Sequence, residues 1–154
     1  MRESVQYCTF FVDALFCGVE VMKVQEVIRC QAMTRVPLAP RVVRGLINLR
    51  GQIVTAIDLR RRLELSERPD DALPTNVVVR TDDGAVSLLV DEIGDVVEVD
   101  DDTFERPPET LQGVARELIR GAYKLDGRLL LILDTERTVQ LGNDNRDVTD
   151  RGAA

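Results

Sequence analysis

Short apolar runs follow one another along this chain, separated by glycine, proline and aspartate. That rhythm predicts β-strands near 6–12, 18–22, 53–59, 76–80, 85–90, 95–99 and 128–134. The run Leu129 to Leu133 is apolar at every position instead of alternating, so both of its faces should be covered. A seam between two halves of the molecule would supply the second cover. Helical periodicity is scarce. Leu111, Val114, Ala115, Leu118 and Ile119 share one face of a helix, with Gly113 weakening its first turn. A shorter helical turn is expected from Pro40 to Gly45, and another after Asp134.

The same plan occurs twice. VRGLINLRGQIVTAIDL at 43–59 aligns with IRGAYKLDGRLLLILDT at 119–135, matching Arg44 with Arg120, Gly45 with Gly121, Leu49 with Leu125, Gly51 with Gly127 and Asp58 with Asp134. A second block sets Val19, Val21, Val24, Glu26, Val27 and Ile28 against Leu88, Val90, Ile93, Asp95, Val96 and Val97. Each copy reads as an Arg-Gly turn, a polar tip closed by a second glycine, and an apolar strand ending at aspartate. Two similar small barrels follow from the repeat, one over about 14–75 and one over 76–141, with the N-terminal strand from residue 5 shared. The polar segment SERPDDALPT at 66–75 reads as a surface connection between them. Residues 142–154 carry too few apolar side chains to offset the entropy of ordering, and are expected to be a disordered tail.

Composition narrows the classes. The 154 residues, 44% hydrophobic, suit one compact domain. A net charge of -7 repels a phosphate backbone, so nucleic acid is not an expected partner. Arg60, Arg61 and Arg62 form a local basic run that reads as a solvated face or helix cap. The segment Met1 to Val12 lacks a basic region followed by a long apolar run, and no stretch approaches the ~20 apolar residues of a membrane span. A soluble, cytoplasmic protein without membrane insertion is expected. Cys8, Cys17 and Cys30 are odd in number and form no CxxC pair, which fits reduced thiols. Histidine is absent, which removes the commonest transition-metal ligand and general base; no metal or cofactor is expected.

No nucleophile elbow, phosphate loop, dinucleotide fingerprint or zinc-protease motif is present. Carboxylates cluster at Asp91, Glu92 and Asp95 and at Asp100 to Asp102, but acid–base work needs two carboxylates in contrasting environments within a cleft. No catalytic residue is assigned. The distinctive segments are KVQEVI at 23–28 and INLRGQIV at 47–54, where polar residues sit tightly among apolar ones. Asn48, Arg50 and Gln52 either present a binding rim or build a turn with a solvated arginine at its tip. Glu26 either points harmlessly outward or pairs with a base such as Arg50, and Val24, Val27 and Ile28 read as core. The residues alone leave these pairs of readings open.

FCGVEVMKVQEVI (16–28), VPLAPRVVRGLINLRGQIVTAIDLR (36–60), VSLLVDEIGDVVEV (86–99) and IRGAYKLDGRLLLILD (119–134), in that order, closely resemble the CheW family of chemotaxis coupling proteins. The resemblance implies an all-β fold of two packed SH3-like five-stranded β-barrel subdomains with short helical connections. It also implies no enzymatic activity. The partners it implies are the cytoplasmic tip of a methyl-accepting chemoreceptor and the regulatory domain of a CheA-type histidine kinase, bound at receptor arrays on the inner face of the membrane. Carried over by position, the receptor-binding residues are Val24, Glu26, Gly45 and Arg50, with Asn48 and Leu49 completing the motif; the kinase contact is expected on the first barrel. Thr55 stands where many members have proline, and Asp126 and Arg128 replace the first copy's Arg50 and Gln52, which favours the first barrel as the receptor side. Non-flagellar chemosensory adaptors fit the same pattern; a β-barrel ligand or nucleic-acid binder and a hydrolase using Asp91 or Asp95 are the competing classes.

Overall fold

The structure, a computed structural model, describes residues 3–29 and 31–141; the tail expected at 142–154 and Cys30 lie outside them. Ten strands form: β1 (Ser4–Val12), β2 (Leu15–Glu20), β3 (Val24–Ile28), β4 (Val43–Leu49), β5 (Gln52–Asp58), β6 (Thr75–Thr81), β7 (Gly84–Val90), β8 (Glu92–Asp100), β9 (Ile119–Leu125) and β10 (Arg128–Leu133). Three short helices accompany them: α1 (Leu59–Arg62), α2 (Gly113–Leu118) and α3 (Thr135–Val139). The chain is thus mostly β, in two five-stranded sheets ordered β8-β1-β2-β10-β9 and β3-β6-β7-β5-β4.

These orders reveal how the repeat is used. In sequence, β1 to β5 and β6 to β10 are the two copies, yet the first hairpin of each copy sits in the other copy's sheet. β2 lies parallel to β10, and β7 lies parallel to β5. The sheets therefore do not divide at residue 75, as the expected halves 14–75 and 76–141 would have it. Hairpin β1–β2 and hairpin β6–β7 have been exchanged. The copies still match in detail: the Asp58 N–H donates to the Val42 carbonyl and the Asp134 N–H to the Leu118 carbonyl, each at 2.8 Å. Asp58 and Asp134 each end a strand and cap the next helix, accepting from the N–H of Arg60 and Arg137 at 3.0 Å.

The unbroken apolar runs are explained by three cores. Tyr7, Phe16, Tyr123, Leu130 and Ile132 pack within the first sheet, while Ile47, Leu49, Val54, Val78 and Leu89 pack within the second. Their neighbours in sequence, Leu131, Leu133, Val77, Val79, Leu88 and Val90, point the other way into a cluster shared by both sheets with α1 and α2. Period-2 geometry sends alternate residues to opposite faces, and here both faces are covered.

Three expectations need correction. No helix forms at Pro40 to Gly45: the Val43 N–H closes one turn on the Pro40 carbonyl at 2.9 Å, and β-branched Val43 then begins β4. The Arg-Gly pairs are bulges inside strands and not turns, since the register shifts between Val43 and Gly45 in β4 and at the matching point of β9. Of the two readings of the Arg60 to Arg62 run, a solvated face or a helix cap, the first fails: the run forms the last turn of α1 and is tied inward. Arg60 grips Asp91, and Arg62 donates to the carbonyls of Thr138 at 2.8 Å and Arg137 at 3.0 Å, tying α1 to α3.

Candidate functional site

The turn between β4 and β5 has two central residues, Arg50 (φ 53°) and Gly51 (φ 88°), both left-handed. Such a turn follows the right-handed twist of the strands it joins, and asparagine or glycine usually fills its first position. Placing arginine there costs on the order of 1–2 kcal/mol of backbone strain. Asn48 offsets part of this by accepting the Gly51 N–H on its Oδ1 at 2.9 Å. Arg50 then reaches Glu26 with two hydrogen bonds of 3.0 and 2.9 Å, its planar fork meeting the carboxylate in bidentate fashion.

Glu26 lies on β3, just after a register shift between Val24 and Glu26 that re-aims the strand. β3 and β4 are opposite edges of the second sheet, so the Arg50–Glu26 pair spans the gap between its two edges. The Glu26 side chain is only 19% exposed, whereas that of Arg50 is 80% exposed. An ion pair so open to water contributes about 0–1 kcal/mol. Its consequence is geometric: one guanidinium is held in place with most of its surface facing solvent.

The remaining expected residues divide by burial. Asn48 is exposed beside Arg50, and Val24 is half-buried against the shared core. Leu49 and Gly45 are buried and cannot offer a surface. A Cβ on Gly45 would lie 2.7 Å from the Thr34 carbonyl oxygen, the same atom that accepts the Leu46 N–H at 2.8 Å. Gly45→Ala should therefore cost about 1–3 kcal/mol by overpacking, seen as a lower midpoint in urea, and any loss of partner binding would follow from displacement of the corner. A midpoint equal to wild type would return Gly45 to a direct contact.

Sequence reasoning missed Ile53 and misplaced Val27. Ile53 is 61% exposed and directly opposite Asn48 in the β4–β5 ladder, and Val27 is exposed on β3. No sequence signal marked Ile53: alternation places it on the face of Ile57, which is buried, and it is open to water because it lies beside the turn. Val27 has the side chain of a core residue, and it faces water because β3 is an edge strand.

A second polar assembly lies behind β5 and β7. Asp91 accepts from Arg60 at 2.6 Å, from Arg68 at 2.9 Å and from the Asp13 N–H at 2.6 Å. Burial alone would raise its carboxyl, but the hydrogen bonds from Arg60, Asp13 and Arg68 outweigh that and hold it below the ordinary aspartate value. Asp95, by contrast, is exposed. The two do not form an acid–base pair in a cleft. Of the cysteines, Cys8 and Cys17 are free and buried, and burial pushes the Cys17 thiol up to about 12.

A fixed, solvent-facing arginine beside open apolar residues on a duplicated β scaffold has the composition of a protein-binding surface. The CheW-like domain family matches residues 6–142, and the chain belongs to this family of chemotaxis coupling adaptors. It is 31% identical over 151 residues to the chemotaxis protein CheW of Bacillus subtilis, covering 98% of this chain and 97% of that one. With the chemotaxis protein CheW of Treponema pallidum it shares 29% over 139 residues, 88% of this chain and 82% of the relative. The crystal structure of the scaffolding protein TtCheW from Thermoanaerobacter tengcongensis matches the fold with a TM-score of 0.81 at 24% identity, over 90% of this chain and 94% of that one. Among the described residues, no helix is long and apolar enough to cross a membrane.

Proposed function

We propose that this protein, without catalysing a reaction itself, links the cytoplasmic tip of a chemoreceptor to the regulatory domain of a CheA-type histidine kinase in receptor arrays at the inner face of the membrane. The receptor side is the corner of β3 and the β4–β5 turn. The observation that carries this is Arg50: it occupies a strained position, is fixed by Glu26 at 2.9 Å, and still exposes most of its side chain next to Ile53 and Asn48. Arginine beside exposed apolar surface is a favoured hot-spot composition, because its fork and its stem both contribute. Val24, Glu26 and Asn48 act at or beside the contact, and Gly45 and Leu49 hold its frame. A receptor helix bundle seated here and a kinase domain seated elsewhere on the same rigid body would be coupled through their shared adaptor.

An Arg50→Glu variant tests the reading. Its affinity for a purified receptor cytoplasmic fragment, measured by calorimetry, should fall at least tenfold, on the order of a lost hot spot. Its melting temperature should stay within about 2 °C of wild type, because the exposed pair adds little stability. Unchanged receptor affinity, or a melting loss that accounts for the binding loss, would remove Arg50 from the interface.

A further inference from the structure

A large open cleft of about 830 Å³ lies at the far end of β4 from Arg50, lined by Arg35, Arg44, Arg61 and Arg68 with Glu67 and Asp70. Arg44 and Arg50 are six residues apart on extended chain, about 20 Å, so this cleft is separate from the receptor corner. Its charge runs against that of the molecule. Arg41 joins the four lining arginines through Glu67, Asp58 lies beneath them, and Asp91 links Arg68 to Arg60, so six guanidinium groups face four carboxylates in a chain of net charge -7.

The carboxylates are shared, and the donors are not exhausted. Asp58 serves Arg44 at 3.1 Å and Arg68 at 3.5 Å, while Glu67 serves both Arg61 at 3.1 Å and Arg41. Arg35 is exposed and pairs with no carboxylate among the described residues. Beside it the loop lifts apolar side chains into water: Val36 is 38% exposed and Leu38, held at φ 65°, is fully exposed. Glu67 itself sits on the irregular segment between α1 and β6 with its side chain 45% exposed. Both of its oxygens accept from the Nε of Arg61, at 3.1 and 3.2 Å, a place that an incoming carboxylate could take.

We propose that this cleft docks an acidic segment of a protein partner, with Glu67 standing in for the partner's carboxylate in the free protein. The segment brings carboxylates to Arg35 and Arg41 and an apolar side chain to Val36 and Leu38. Charge complementarity selects a short acidic peptide over a long polyanion, since the rest of the acidic surface repels nucleic acid. The apolar loop selects a peptide over a free phosphate, which has nothing to place there.

The test uses the full chain and a fluorescein-labelled peptide of alternating glutamate and leucine, read by fluorescence anisotropy at physiological salt. Wild type should bind it saturably, and the same peptide with lysine for glutamate should not bind. Arg35→Glu with Arg41→Glu should weaken binding on the order of tenfold. Arg35→Gln alone removes a side chain without an ion-pair partner, so folding is retained, and should weaken it severalfold. Glu67→Gln is the decisive variant: removing an internal competitor should tighten binding severalfold, whereas a merely structural Glu67 would leave it unchanged or weaken it. No saturable binding by wild type, no effect of the Arg35 variants, a neutral or weakened Glu67→Gln, or displacement of the peptide by inorganic phosphate beyond that by sodium chloride of equal ionic strength would overturn the proposal.

Discussion

Asp58→Ala should lose about 3–5 kcal/mol of folding stability, the range for removing one partner of a buried ion pair. The Asp58 side chain has no exposed surface, and it lies 3.1 Å from Arg44 and 3.5 Å from an Arg68 that is only 5% exposed. Truncation leaves Arg68 in the interior with Asp91 as its remaining carboxylate, and strips α1 of its cap at the Arg60 N–H. The cap alone accounts for about 1 kcal/mol. Asp58→Asn separates the parts, because an amide oxygen can still cap the helix but carries no charge. Urea unfolding should place it between wild type and alanine. An alanine variant within about 1 kcal/mol of wild type would show that water or Asp91 compensates freely, and that the network is not a structural centre.

Leu88→Ala should cost about 2–5 kcal/mol, the range for deleting a buried leucine where the surroundings cannot close the hole. Leu88 is fully buried on β7, on the face turned to the core shared by both sheets. Its neighbours there include Phe10 and Leu131 from the other sheet. The cavity therefore opens between two rigid layers and not within one. Both sheets should unfold in a single transition, with the same denaturant slope as wild type and a lower midpoint. Met22→Ala is the control, since Met22 is 84% exposed and its loss should stay within about 0.5 kcal/mol. Two separated transitions in Leu88→Ala would mean that the sheets are independent after all.

The strands were legible where apolar runs are bounded by turn residues, as in β5, β6, β7 and β10, because both of their faces are covered and nearly every position is apolar. β3, β4 and β9 escaped the pattern for physical reasons. Each is an edge strand, and each carries or borders a register shift that breaks the period of two. Bulged glycines at 45 and 121 look like turns in sequence, since only the approach of another backbone, here the Thr34 carbonyl beside Gly45, explains them. At the candidate site, the Glu26–Arg50 pairing was one of two readings open from residue types, and the structure chose it. What the sequence could not carry was burial: Gly45 and Leu49 belong to the corner as frame, and Ile53 belongs to it as surface. The repeat was visible, but its strand exchange was not, because alignment records likeness between copies and says nothing about which copy a hairpin pairs with.

That exchange bears on how the chain matures on a ribosome. Hairpin β1–β2 finishes at Glu20, but its neighbours in the sheet, β8 and β10, begin at Glu92 and Arg128. At about 5–20 residues per second, the first hairpin waits on the order of ten seconds for its partners to emerge. Through that interval Phe16 lacks Tyr123, Leu130 and Ile132, and Phe10, Val12 and Val19 lack the second copy's share of their core. A nascent first half has one other source of the missing strands, a second nascent chain beside it. Closely spaced ribosomes should then favour crossed pairs, an expectation checked by size-exclusion chromatography of the protein made at slow and at fast translation rates.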